Sequence, residues 1–212
     1  MSIIHCQLKK KCYLCIMDKN LYIVAGCNGA GKTTASFTIL PETLNCREFV
    51  NADEIAAGLS PFQPEKAAIE AGRIMLGRIR HLLNENASFA FETTLAPKTY
   101  RNTVTKAQEA GYNVTLLFFW LQTIELAKKR VEKRVSEGGH DIDPIIIERR
   151  YINGIRNLFD IYMPIVNETL IFDNSGGKYK LIAKKINNDI SILNNNKFKL
   201  LKQQYDNQRA KK

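Results

Sequence analysis

Residues 21–34 read LYIVAGCNGAGKTT, an apolar β-branched run that breaks into glycines and then enters a helix. Gly26, Gly31, Lys32 and Thr33 fill the pattern GxxxxGK[ST], and the chemistry of a phosphate cradle explains the spacing. Glycines let consecutive backbone N–H groups curl around phosphate oxygens, Lys32 supplies a point charge, and the Thr33 hydroxyl is placed to ligand Mg²⁺. A helix opening at Lys32 adds the positive end of its dipole to the same anion site. The expected nucleotide-binding set is therefore Gly26, Asn28, Gly29, Ala30, Gly31, Lys32, Thr33 and Thr34.

Working outward, strands alternate with helices. Glu48 to Asn51 reads as a second strand whose polar end delivers Asp53. Ser88 to Phe91 is a third, running into Glu92 and Thr93, and Asn113 to Leu121 is a continuous apolar fourth. Thr123 caps a basic helix bearing Arg130 and Arg134, Gly138 and Gly139 stop it, and a second basic helix begins near Ile145. Thr169 to Phe172 is read as the last strand, delivering Asp173, Asn174 and Ser175 to the P-loop edge. Lys178 to Leu193 is read as a closing helix, with the chain fraying from Asn194. In the helix after Pro64, Ala68, Ala71, Met75, Ile79 and Leu82 are expected to form the buried side, and Pro41 is expected to limit the P-loop helix. This alternation predicts an α/β fold, a three-layer sandwich with a mainly parallel sheet. The glycine-rich loop, Glu92 and the basic helices around Arg130, Arg134, Arg149 and Arg150 make it read as a P-loop NTPase of the kinase-like type with a helical lid. Residues 1–18 read as an extension created by a start upstream of Met17, residues 19–195 as the domain, and residues 196–212 as a basic polar tail.

Composition narrows the functions. A chain of 212 residues that is 45% hydrophobic and 25% charged supports one substantial core. Neither a membrane span of about 20 apolar residues nor a secretory leader is legible, so a cytoplasmic location is expected. The net charge of +10 sits mostly at the ends, +3 over residues 1–19 and +5 over 197–212, and no aromatic-interleaved basic stripe accompanies it. That distribution argues against nucleic acid as a partner. Five cysteines read as reduced thiols. His5, Cys6, Cys12 and Cys15 nominally supply zinc ligands, but a single CxxC without a second pair is a weak signal.

Among P-loop classes, a guanine-reading NKxD is absent, and the third strand ends in Glu92 where a motor-type ATPase normally places Asp. Phosphoryl transfer needs charge neutralisation, in-line positioning and a group that accepts the hydroxyl proton. Arg130 and Arg134, four apart, project from one side of their helix between glycines that allow closure. Asp53 lies where a carboxylate can orient and deprotonate an acceptor, the alternative being a helix cap.

The set GCNGAGKTT, FVNADEIAAGLSP, FAFETTL and RVEKRVSEGGHDIDPIIIERRY resembles the zeta-toxin-like P-loop kinases over nearly all of residues 19–176. That resemblance implies a fold similar to shikimate and nucleoside monophosphate kinases. It implies transfer of phosphate from ATP or GTP, with Mg²⁺, to a hydroxyl of a small molecule, which in characterised members is UDP-N-acetylglucosamine. A protein antitoxin is the partner it implies. By motif position Lys32 and Thr33 would bind phosphates and Mg²⁺, Asp53 would be the base, and Glu92 and Thr93 would face the acceptor or the metal shell. Arg134 would be the lid arginine, with Arg130, Arg149 or Arg150 as the second, and Asp173 to Ser175 would border the base. This chain is the compact version, with GGH at residues 138–140, for which the resemblance does not specify the acceptor. A nucleotide-dependent switch with weak ATPase activity and a polynucleotide kinase are the competing readings. The resemblance leaves oligomeric state open.

Overall fold

A computed structural model describes residues 19–210. The extension and its nominal zinc ligands lie outside the described residues.

The first strand, β1 (Asn20–Ala25), is buried almost throughout because its run of Leu21, Ile23 and Val24 presents apolar side chains to both faces. It ends in the P-loop and α1 (Lys32–Thr38). Pro41 does not stop the chain at once. A wider π-turn carries it over Ile39–Thr43, the Leu44 N–H reaching the Ile39 carbonyl, and this looser spiral tolerates a residue that has no N–H to give. Next come β2 (Phe49–Val50) and α2 (Ala52–Leu59), whose cap is Asn51, its side chain accepting from the Asp53 N–H. A 3₁₀ turn at Pro64–Ala67 leads into α3 (Ala68–Asn84), which buries Ala71, Met75, Ile79 and Leu82. Ala68 itself is exposed and Ala67 is buried in its place, because the tighter turn shifts the helical phase by one residue.

Then follow β3 (Phe89–Thr93), α4 (Tyr100–Glu109), β4 (Asn113–Trp120), α5 (Ile124–Ser136) and α6 (Pro144–Asn157). Thr123 caps α5 by accepting from the Leu126 N–H, as expected. A π-turn at Leu158–Tyr162 and the short α7 (Met163–Ile165) precede β5 (Glu168–Asp173). Two readings are corrected beyond this point. Residues 178–193 are not a helix but a hairpin of β6 (Lys180–Ile186) and β7 (Asp189–Ile192), turning at Asn187 with φ +51. Asparagine tolerates that left-handed conformation, and the Asn187–Asn188 pair between β-branched runs is the hairpin signal. Nor does the chain fray from Asn194: α8 (Asn195–Ala210) buries Leu201 and Tyr205.

The sheet has seven strands in the order β2-β3-β1-β4-β5-β6-β7. The first five are parallel and the last two antiparallel. The core runs along β1 and β4, where Phe119 stacks on Phe172 at 5.1 Å and Tyr179 meets both rings edge-on. Fully burying side chains of this size stabilises by about 1.5–3 kcal/mol each. Parallel pairing of β1, β3, β4 and β5 brings their carboxyl ends to one edge, the place where open α/β sheets hold ligands. Among the described residues no helix is long and apolar enough to cross a membrane.

Candidate active site

The P-loop leaves β1 where neighbouring backbone crowds it. A Cβ at Gly26 would stand 2.2 Å from the Phe119 carbonyl oxygen, and one at Gly29, where φ is +75, would stand 2.8 Å from that of Ala127. Only glycine fits either position. Ala30 is buried, and its carbonyl accepts from Asn174 Nδ2 at 2.8 Å, tying the loop to the end of β5. Cys27 is buried under the loop; burial pushes its thiol up to about 11, with Lys32 and Arg130 pulling weakly the other way.

Lys32 is buried, donates to the Cys27 carbonyl at 3.1 Å, and pairs with Glu92 Oε1 at 3.4 Å. The Thr33 hydroxyl donates to Glu92 Oε2 at 2.8 Å, and Asn51 Nδ2 reaches the same oxygen at 3.3 Å. Glu92, at the end of β3, thus gathers the P-loop lysine, the P-loop threonine and the α2 cap. Thr33 and Glu92 are the oxygens that would hold Mg²⁺. No group of three or more His, Cys, Asp or Glu side chains suited to a metal lies among the described residues.

Three cavities surround this point. One of about 240 Å³ is lined by Asn28, Gly29, Gly31, Lys32, Thr33, Thr34, Asp53, Glu92, Arg130 and Arg134. A second, about 140 Å³, shares Asn28, Lys32, Asp53 and Glu92 and continues past Asn51, Thr93, Thr94, Tyr100 and Arg150. The third, about 570 Å³, opens on the other flank of α1 between Thr38, Arg130, Asn174 and Tyr179. The P-loop thus lies between a larger cavity on one side and two smaller, connected ones that share Asn28, Lys32, Asp53 and Glu92 on the other.

Of the sequence-predicted residues, the eight of the P-loop lie between the end of β1 and the first turn of α1, and Asp53 stands in the first turn of α2 facing both smaller cavities. It is not a cap, since Asn51 has that role. Thr93 lines the smallest cavity while its hydroxyl accepts from the Leu95 N–H at 3.0 Å. Arg130 bridges the P-loop to the loop after β5, donating to the carbonyls of Gly29 at 3.4 Å and Asn174 at 2.8 Å. Arg134 reaches the phosphate-side cavity and is tethered to the His140 carbonyl at 3.0 Å; its Nε is buried without a partner.

Arg149 is not brought in: it is exposed and lines none of these cavities. Its neighbour Arg150 points inward, donating to Asn28 Oδ1 at 3.1 Å. Burial pulls the Arg150 pKa down, Asp53 counters that pull, and Arg149 adds to it. Helical phase is the reason, because Ile147, Arg150, Gly154 and Asn157 share the inward side of α6. Sequence reading missed Asn157, which donates to the carbonyls of Leu95 at 2.9 Å and Ala96 at 2.8 Å and so fixes the loop after β3. Asp173, at the end of β5, is held below the usual carboxylate range: burial acts upward, but hydrogen bonds from Ser175 and Lys197 prevail.

This sheet order, the P-loop and the lid helices α5 and α6 define a P-loop fold of the kinase type. A model of the zeta toxin family matches residues 7–185, and the chain belongs to that family. An uncharacterised protein of Haemophilus influenzae (strain ATCC 51907 / DSM 11121 / KW20 / Rd) is 30% identical over 146 residues, 68% of this chain and 100% of that one. The AvrRxo1-ORF1:AvrRxo1-ORF2 crystal structure with sulphate ions aligns with a TM-score of 0.68 at 16% identity, covering 87% of this chain and 63% of that one. A form of that pair with ATP aligns at 0.64 and 17%, with the same coverage of both chains. The PezAT chromosomal toxin-antitoxin system of Streptococcus pneumoniae aligns at 0.60 and 14%, covering 95% and 91%. At these identities the structural likeness speaks to fold. This chain spans less than two thirds of the AvrRxo1-ORF1 pair's matched chain.

Proposed function

We propose that this protein transfers the γ-phosphate of ATP, or of GTP, to a hydroxyl of a nucleotide sugar or similar small metabolite, with UDP-N-acetylglucosamine the first acceptor to test. The observation that carries this reading is the position of Asp53, which lines both the phosphate-side and the acceptor-side cavity. A carboxylate there can take the proton of a hydroxyl as its oxygen bonds to the γ-phosphorus. The bond from that phosphorus to the bridging oxygen breaks, the nucleoside diphosphate leaves, and the proton passes from Asp53 to solvent.

The P-loop N–H groups and Lys32 hold the phosphates, while Arg134 and Arg150 approach the transferred group from the lid side and offset the negative charge spread over its oxygens. Mg²⁺, bound by Thr33 and Glu92, would neutralise the same charge. The base would sit between Arg130, Asn174 and Tyr179. Family membership also supports a protein antitoxin as partner. Acceptor dependence tests the activity. Nucleoside diphosphate release that rises steeply on adding UDP-N-acetylglucosamine supports the reading, and release that no metabolite hydroxyl accelerates contradicts it.

A further inference from the structure

The C-terminal helix α8 lies beyond the family match, which ends at residue 185. Its apolar residues Phe198, Leu201 and Tyr205 recur at helical spacing and dock on the core. Phe159 packs on Tyr205 at 4.8 Å and on Phe198 at 6.4 Å, and the Tyr205 hydroxyl donates to Asp160. The same helix turns the half-buried Gln204 toward the end of β4.

Gln204 makes three contacts there. Its Oε1 accepts from Trp120 Nε1 at 3.0 Å and stands 3.0 Å from the Tyr151 hydroxyl, and its Nε2 donates to the Gln122 carbonyl at 2.6 Å. The amide orientation is fixed, because an indole N–H can only donate and therefore must face the oxygen. Tyr151 shares its single proton between Gln204 Oε1 and the Leu121 carbonyl, 2.7 Å away. One amide thus clasps the end of β4 to α6 at the residue next to Arg150. A second tie from the same helix runs from Lys197 to Asp173, 3.2 Å apart, at the end of β5.

We propose that α8 is a strap and Gln204 a positioning residue: by fixing Tyr151 against the end of β4, it sets the rotation of α6 that holds Arg150 on Asn28 at the P-loop. This rests on the reading of Arg150 as a group that faces the transferred phosphate. Helix rotation is the sensitive coordinate, since Arg149 one residue away already misses the site. Removing the amide leaves Trp120 without its acceptor and Tyr151 with the Leu121 carbonyl alone, a single tie about which α6 can turn, withdrawing the guanidinium while the P-loop stays intact.

The test is Gln204→Met in the full chain, with Gln203→Met, the same change at an exposed position of the same helix, as control. Hydrogen exchange is read over residues 144–157, and kcat and KM for ATP are measured in wild-type and Arg150→Ala backgrounds. The expected result is faster exchange confined to α6 and a kcat lowered about tenfold, as for a sub-ångström misplacement of a catalytic group. KM for ATP should be unchanged, and Gln204→Met should have no further effect once Arg150 is alanine. Gln204→Glu keeps the acceptor for Trp120 and Tyr151 but turns a carboxylate oxygen toward the Gln122 carbonyl that Nε2 serves at 2.6 Å, so it should recover only part of the kcat.

Unchanged exchange over α6, or an equal loss of kcat in the Arg150→Ala background, overturns the strap. A wild-type protein with no phosphotransfer overturns the proposed function instead. Exchange over α6 then still decides whether Gln204 holds that helix.

Discussion

The Thr33 hydroxyl donates to Glu92 Oε2 at 2.8 Å, joining the helix that follows the P-loop to the end of β3. Because Glu92 also faces Lys32 and Asn51, it orders both halves of the site. Glu92→Gln keeps the size but removes the charge that pairs with Lys32 and that, on the proposed function, would hold Mg²⁺. The Mg²⁺ concentration for half-maximal turnover should rise about 10- to 100-fold, as when a metal's supporting shell is lost. A Mg²⁺ titration of turnover reads this directly, and an unshifted midpoint would remove Glu92 from the metal site.

Asp53→Ala should lower turnover about 10²- to 10⁴-fold, the span expected for a general base. Nucleotide affinity should stay nearly constant, because the P-loop N–H groups and Lys32 are the groups that meet the phosphates, while the Asp53 N–H is held by Asn51. Calorimetric titration with a non-hydrolysable ATP analogue beside steady-state kinetics separates the two effects. Full phosphotransfer by this variant would reject Asp53 as the base.

The three lid arginines should rank by geometry. Arg134→Ala is expected to slow phosphotransfer by about 10³ or more if its charge meets the transferring phosphate. Arg150→Ala should follow, and Arg149→Ala should stay close to wild type because its side chain faces solvent. A kcat series over the three variants checks this order, and a larger loss at Arg149 than at Arg150 would mean that α6 turns by about one residue in the working state.

Two thiols give a pH signature. Burial raises both Cys27 and Cys46 from an ordinary 9.0 to about 11. An acid whose folded pKa is raised contributes stability that is present below its unfolded pKa and is lost as pH climbs through the folded one. Folding stability should therefore decline from about pH 9 to about pH 11 through these two groups, and Cys27→Ser/Cys46→Ser should flatten the decline. Denaturant melts at stepped pH measure it. Rapid native alkylation of Cys27 at pH 8, located by peptide mapping, would contradict the buried thiol.

Much of the nucleotide half was legible because its chemistry is local. The P-loop residues, Asp53 at the end of β2 and Glu92 at the end of β3 each sit at a break in a hydrophobic run, and parallel pairing brings such breaks to one edge. The choice between Arg149 and Arg150 needed the helical phase of α6, which Ile147, Tyr151 and Gly154 carry but a count of basic residues hides. The hairpin was obscured by Lys184 and Lys185 inside β6, although the Asn187–Asn188 turn marks it. In α8, the many charges masked a sparse stripe of Phe198, Leu201 and Tyr205. The part played by Gln204 was beyond sequence reading, since its partners Trp120, Gln122 and Tyr151 lie more than 50 residues away and meet it only once the sheet has formed.

The central claim is that phosphate passes from the P-loop side to a small-molecule hydroxyl across Asp53. The most direct measurement incubates the protein with Mg²⁺, ATP and UDP-N-acetylglucosamine, then with a metabolite extract, and follows by mass spectrometry which species gains a phosphate. The account predicts one phosphorylated metabolite with the wild-type chain and none with Lys32→Ala. ATP consumed by the wild-type chain with phosphate released only to water would contradict it.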